Sequence, residues 1–154
     1  MIPPRPVLHV FWALHRGVRR LSGGRLGTSV PRGERVGTLF LHTVGRKSGQ
    51  PRSNALFYVV EGADLVVVAS NAGADVDPAW WLNLRDQPDA EVEIAGRRRP
   101  VLARTATADE AARLWPRLDT ANPDYAAYQA RATRPIPLII LEPRSTKAVS
   151  LAPS

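Results

Sequence analysis

The sequence predicts a mainly β domain with flanking helices: about six antiparallel strands forming a small closed or nearly closed barrel, with short helices outside it. Three observations carry that expectation. Three short apolar runs between Thr38 and Ser70 follow one another through tight turns, which is an antiparallel meander and not a βαβ unit. Two further runs flank Ala95-Gly96 as a hairpin, and a last apolar run ends at Pro143. At 154 residues the chain has room for one domain with a sizeable core.

In order, residues 1–36 are a proline-rich start, a helix and a Gly/Arg-containing link. Val7, Phe11, Leu14, Val18 and Leu21 recur at four-three spacing and define an apolar stripe over 7–21. Arg16, Arg19 and Arg20 lie off that stripe, so the helix can rest on an anionic membrane surface or pack on its own domain. Thr38 to Val44 is the first strand, with Leu39, Leu41 and Thr43 on one face, and Ser53 to Val60 is the second. Glu61-Gly62-Ala63-Asp64 turns the chain into a third, Leu65 to Ser70. Asp77-Pro78 reads as N-cap and first helical residue of a helix ending near Gln87. Ala90 to Ile94 and Arg97 to Ala106 form the second hairpin. Thr107 and Glu110 have capping-box spacing and open a helix through about Leu118. Asn122-Pro123 starts another, with Tyr125 and Tyr128 on one face. The last strand is Ile136 to Pro143, within a domain of 37–143, and 144–154 is a flexible tail.

Composition narrows the function. The chain has no cysteine, which excludes disulfides, thiolate catalysis and Cys-ligated metals. Its net charge is +7, from 21 basic and 14 acidic residues, and favours acidic partners. Lys47 and Lys147 are the only lysines, so the basic residues are otherwise arginine. The charges are scattered and no nucleic-acid motif is present, so no nucleic-acid partner is expected. No apolar run reaches membrane-spanning length, and His9 interrupts the one near the N-terminus, against a signal peptide.

One stretch stands out chemically. Gly45-Arg46-Lys47-Ser48-Gly49-Gln50-Pro51-Arg52 places Arg46, Lys47 and Arg52 around two glycines at a turn. Backbone N–H groups in such a turn can converge on an anion, with the cations and the Ser48 hydroxyl adding donors. The alternative is a solvated hairpin turn, where glycine and charge are common. His9, His15 and His42 form no metal-ligand spacing, and no nucleophile with its base can be argued from spacing. Binding groups without acid–base machinery suit a protein whose cofactor carries the difficult chemistry.

That turn, followed in order by Ala69-Ser70-Asn71-Ala72-Gly73, Pro78-Ala79-Trp80-Trp81-Leu82-Asn83-Leu84, Trp115-Pro116, Asn122 to Tyr128 and Arg134-Pro135-Ile136-Pro137, resembles the deazaflavin-dependent nitroreductase family from about Gly37 to Pro143. The resemblance implies a split β-barrel of the FMN-binding type and coenzyme F420, an anionic deazaflavin that carries hydride. It implies that Arg46, Lys47, Ser48, Gln50 and Arg52 hold the phosphate end. Leu56, Ala69, Ser70, Asn71, Pro78, Trp80 and Asn83 match positions lining the ring slot. Packing explains Trp80 and Trp81 equally well, so at most one is expected to touch cofactor. Tyr125 and Tyr128 match a substrate-side aromatic wall, with Ser70 and the tyrosine hydroxyls as candidates for bonding the acceptor or supplying a proton.

Asn122 stands where the family pattern commonly has a further Tyr, so the wall is smaller and nitro reduction is in question. The implied reaction is hydride transfer from the reduced deazaflavin to a quinone or nitro-aromatic acceptor. The implied setting is cytoplasmic, at the inner face of the cell membrane if the 7–21 helix binds there, as monomer or homodimer. Two alternatives stay open: an FMN- or other flavin-binding split-barrel oxidoreductase, and a non-catalytic carrier of a lipid or cofactor.

Overall fold

The computed structural model describes residues 28–145. The expected 7–21 helix, and all but the first two residues of the expected tail, lie outside the described residues. Six strands, β1 (Gly37–Val44), β2 (Pro51–Glu61), β3 (Asp64–Val68), β4 (Asp89–Ile94), β5 (Arg97–Thr105) and β6 (Leu138–Pro143), close into an antiparallel barrel ordered β1-β2-β3-β6-β5-β4. Three α-helices and one short 3-10 turn (Asn71–Gly73) accompany them among the described residues: α1 (Ala79–Asp86), α2 (Ala108–Ala121) and α3 (Asp124–Arg131).

The three hairpins form where turn chemistry placed them. Gly49, Gly62, Ala95 and Gly96 have φ of 68°, 60°, 53° and 79°, the left-handed geometry that tight hairpins need. Closure depends on non-local pairs: β1 meets β4 at Phe40↔Glu93, and β3 meets β6 at Val66↔Ile140. His42 Nε2 lies 2.8 Å from Glu93 Oε2 across the β1–β4 seam, a structural role for that histidine.

Two apolar layers share the sheet. Inside the barrel, Leu39, Leu41, Val67, Val92, Val101, Ile139 and Leu141 pack with Trp80, Trp81 and Leu84 of α1. Outside it, Val59, Val66, Leu138 and Ile140 pack with Leu114 and Leu118 of α2 and Tyr125 and Tyr128 of α3. Successive residues of β3 and β6 therefore enter different layers, and both strands are buried on two faces. That explains their unbroken apolar runs, since a strand covered on both sides loses the polar half of its alternation.

The Thr107 capping box forms as expected: Glu110 N–H donates to Thr107 Oγ1 at 3.2 Å and Thr107 N–H to Glu110 Oε1 at 2.9 Å. The helix it opens runs past Leu118 to Ala121. The N-terminus of α1 differs from expectation. Pro78, with extended backbone, takes the N-cap position, and the Asp77 carboxylate caps nothing. Asp77 Oδ1 instead accepts from Arg134 Nη1 at 2.8 Å, a bond in which donor and acceptor are both charged, whereas a backbone N–H would bring no charge of its own. The third strand also stops short, at Val68; beyond it the Ala69 N–H donates to the Pro137 carbonyl at 3.0 Å, and Arg134 takes the carbonyls of Ala69 and Ser70.

Candidate functional site

The turn between β1 and β2 borders a cavity of about 490 Å³. Arg46, Lys47, Ser48 and Arg52 line one side of it, and Trp80 and Asn83 of α1 line another. Residues 80 and 83 share this side because three positions separate them on a helix. The buried Asn83 Oδ1 accepts from the Arg46 N–H at 3.1 Å and from Arg46 Nη1 at 3.2 Å, pinning the turn to α1. The Gly45 N–H donates to the Gln50 carbonyl at 2.8 Å, and the Gly49 N–H to the Gly45 carbonyl at 2.8 Å. The Gln50 N–H and Arg52 Nη2 both donate to Ser48 Oγ, at 3.2 and 3.3 Å.

The expectation that the turn's N–H groups converge on an anion is thereby narrowed to those of Lys47 and Ser48. Those of Gly45, Arg46, Gly49 and Gln50 are engaged within the protein. What the turn offers is charge, the N–H groups of Lys47 and Ser48, and the Ser48 hydroxyl proton, since that oxygen is used as an acceptor. Among the described residues, Arg46, Lys47 and Arg52 are within salt-bridge distance of no carboxylate, as are Arg32, Arg35, Arg97, Arg99 and Arg131, but these first three line one cavity together. Three unneutralised cations in one concavity form a site for an anion.

A second cavity, of about 110 Å³, lies on the other side of Trp80, which lines both. Leu56, Ser70 and Asn71 face Asn122, Tyr125 and Tyr128 across it. The two tyrosine rings meet edge to face, centroids 6.4 Å apart. Burial pushes the Tyr125 hydroxyl well above its usual range, with a hydrogen bond to the adjacent Asn122 side chain acting the other way. Burial also raises the Tyr128 hydroxyl. Both therefore stay protonated, as donors, through neutral pH. Asn122 Oδ1 accepts from the Asp124 N–H at 3.2 Å, so this residue opens α3 and faces the cavity at once.

The residues singled out in the sequence thus fall into two groups that meet at Trp80. Arg46, Lys47, Ser48, Arg52 and Asn83 belong to the basic cavity, and Leu56, Ser70, Asn71, Asn122, Tyr125 and Tyr128 to the aromatic one. Trp81 packs in the barrel core and lines neither. Gln50, Ala69 and Pro78 also line neither: Gln50 closes the turn, and Ala69 and Pro78 are buried beside the site. Sequence reasoning missed Ser53 and Asn54, which line the basic cavity from β2. Ser53 Oγ is a buried hydroxyl without a hydrogen-bond partner among the described residues. Its signal in the sequence was only its place directly after Arg52.

A barrel of this connectivity, with an anion cleft and an aromatic pocket sharing one tryptophan wall, is a split-barrel cofactor-binding protein. Similarity to known proteins narrows that class. The family model of the F420H(2)-dependent quinone reductases matches residues 13–143. An F420H(2)-dependent quinone reductase of Mycobacterium tuberculosis is 36% identical over 134 residues, covering 85% of this chain and 89% of that protein. A solved F420-H2 dependent reductase, FDR-A, superposes with a TM-score of 0.62 at 32% identity, covering 68% of this chain and 93% of that one. Another solved structure, described as a domain-swapped dimer, gives 0.64 at 30% identity, covering 86% of this chain and 98% of that one. The chain belongs to the F420H(2)-dependent quinone reductase family, whose cofactor is coenzyme F420.

The residues present fit that cofactor. Its phosphodiester and acidic tail need cations not neutralised by carboxylates, which Arg46, Lys47 and Arg52 could supply, and the orphaned Ser53 hydroxyl needs a polar partner. Its flat ring needs an apolar wall, which Trp80 and Leu56 supply.

Proposed function

We propose that this protein binds coenzyme F420 with its phosphate end in the basic cavity and its ring against Trp80, and delivers reducing equivalents to a quinone held in the second cavity against Tyr125 and Tyr128. The observation that carries the reading is Trp80, the shared wall between a cleft of unpaired cations and a pocket of protonated tyrosines. When bound, the reduced deazaflavin supplies the hydride. The chain's own contribution is binding, orientation and exclusion of water. Arg46, Lys47 and Arg52 hold the phosphate end, with Ser48 and Ser53 donating hydroxyl protons. Tyr125, Tyr128 and Ser70 are placed to donate to an acceptor oxygen as it gains negative charge.

Nitro-aromatic compounds present a similar oxygen. Asn122 leaves the wall smaller than a third tyrosine would, so quinones are the preferred acceptors and nitro compounds poor ones. The basic amphipathic 7–21 segment suits a quinone dissolved in the membrane, with the barrel at the cytoplasmic face. Among the described residues no helix is long and apolar enough to cross a membrane.

The test is anaerobic oxidation of reduced F420 by menadione, followed by absorbance. Quinone-dependent turnover is expected, with Tyr125→Phe lowering it and leaving cofactor affinity intact. Turnover with reduced FMN and none with reduced F420 would overturn the proposal.

A further inference from the structure

We propose that Arg134 is the positioning residue of the acceptor pocket: its guanidinium fixes the loop between β3 and α1 in a left-handed form that presents Ser70 and Asn71 to Tyr125 and Tyr128. The consequence for catalysis rests on the function proposed above; the grip on the loop does not.

The loop is strained. Asn71, Ala72 and Gly73 have φ of 46°, 54° and 77°, three consecutive left-handed residues of which only the last is glycine. Such backbone persists where its surroundings over-determine it, and is concentrated at functional sites. Here the determinant comes from about sixty residues downstream. Arg134 Nε donates to the Ala74 carbonyl at 3.1 Å. Nη2 donates to the carbonyls of Ala69, Ser70 and Val76 at 3.2, 3.3 and 3.0 Å, and Nη1 to Asp77 Oδ1 at 2.8 Å. One side chain, 15% exposed, thus collects four loop carbonyls and a carboxylate.

Two further contacts tie the same loop to the segment carrying Arg134. Thr133 Oγ1 donates to Asp75 Oδ1 at 2.8 Å. A Cβ on Gly73 would lie 3.0 Å from the Tyr128 carbonyl oxygen, so the loop rests directly on the α3 backbone. Ser70, Asn71 and Ala72 on one side and Tyr125 and Tyr128 on the other are therefore held as one unit around the second cavity. The cation turn shares none of Arg134's partners. Lysine cannot replace this grip, because a single ammonium lacks the planar fork that reaches several carbonyls at once.

Arg134→Lys is the discriminating variant, because it keeps the charge and loses the fork. In cofactor-free protein, the N–H groups of Gly73 and Ala74, bonded to the Ser70 and Asn71 carbonyls at 2.9 and 3.1 Å, should exchange with deuterium at least about tenfold faster than in wild type. Exchange in β1 and β2 should not change. With cofactor and quinone, kcat/KM for the acceptor should fall on the order of 10- to 100-fold, with the cofactor Kd within about threefold of wild type.

Wild-type exchange at Gly73 and Ala74, an unchanged kcat/KM, or a cofactor Kd that rises as far as kcat/KM falls would each overturn the proposal. Should Arg134→Lys fail to fold, Asp77→Asn keeps the fork and weakens its anchor. Faster exchange at the same two amides is then expected, and unchanged exchange overturns the proposal. If wild type neither binds F420 nor turns over quinone, the function fails, and the exchange measurement alone decides the role of Arg134.

Discussion

Replacing Lys47 by Met isolates one charge of the anion cleft. Lys47 is exposed at the tip of the β1–β2 turn and pairs with no carboxylate among the described residues, so its loss strands no partner. Fold stability should stay within about 0.5 kcal/mol of wild type. A phosphate about 4 Å from the ammonium gains about 1 kcal/mol under full water screening and about 4 kcal/mol at an effective dielectric near 20. The exposed tip lies near the watery limit, so about 1–2 kcal/mol is expected, which is roughly a 5- to 30-fold rise in cofactor Kd. The Debye length is about 8 Å at physiological ionic strength, so wild type should lose more affinity with added salt than the variant does. Titration with oxidised F420 at two salt concentrations, with thermal melts alongside, measures all three quantities. A Kd change below about twofold with an unchanged melt and an unchanged salt response would refute the assignment of Lys47 to the phosphate.

Two further substitutions test other parts of the molecule. Ser53→Ala should stabilise the cofactor-free protein by about 1 kcal/mol, because it removes a buried hydroxyl without a partner, and should weaken F420 binding severalfold, so that the melt and the titration move in opposite senses. The Arg104 guanidinium, helped by the Thr107 N–H, holds the Glu110 carboxyl down to about 2, so its stabilisation is fully present above the ordinary value of 4.5 and disappears as pH falls through about 2. Glu110→Gln should therefore lower the melting temperature at pH 7, and the gap to wild type should close as the melts are carried down through that acid window.

What was legible in the sequence was what neighbours along the chain decide. The hairpin at Ala95-Gly96 and the Thr107–Glu110 capping box each depend on residues within one turn, and both formed as read. The cation turn was legible as chemistry, and the motifs following it in order gave the cofactor. The N-cap at Asp77 failed because a distant guanidinium outcompeted a local N–H for the same carboxylate, and no local pattern announces Arg134. The same applies to four of the turn's N–H groups, which Asn83 and the turn itself consume. Ser53 was invisible because an unsatisfied hydroxyl is a property of packing, not of sequence. Trp80 as a shared wall required knowing that α1 lies between the two cavities, which follows from barrel closure through pairs such as Phe40↔Glu93. A heptad or strand period cannot supply contacts of that range.

The most direct test is titration of the wild-type protein with oxidised coenzyme F420, with FMN as the competitor. The predicted result is saturable binding of F420, about one per chain, with a Kd on the order of micromolar that weakens with salt and is not displaced by FMN. No F420 binding at tens of micromolar, or tighter binding of FMN than of F420, would contradict the central claim that the Arg46–Arg52 turn anchors an anionic deazaflavin.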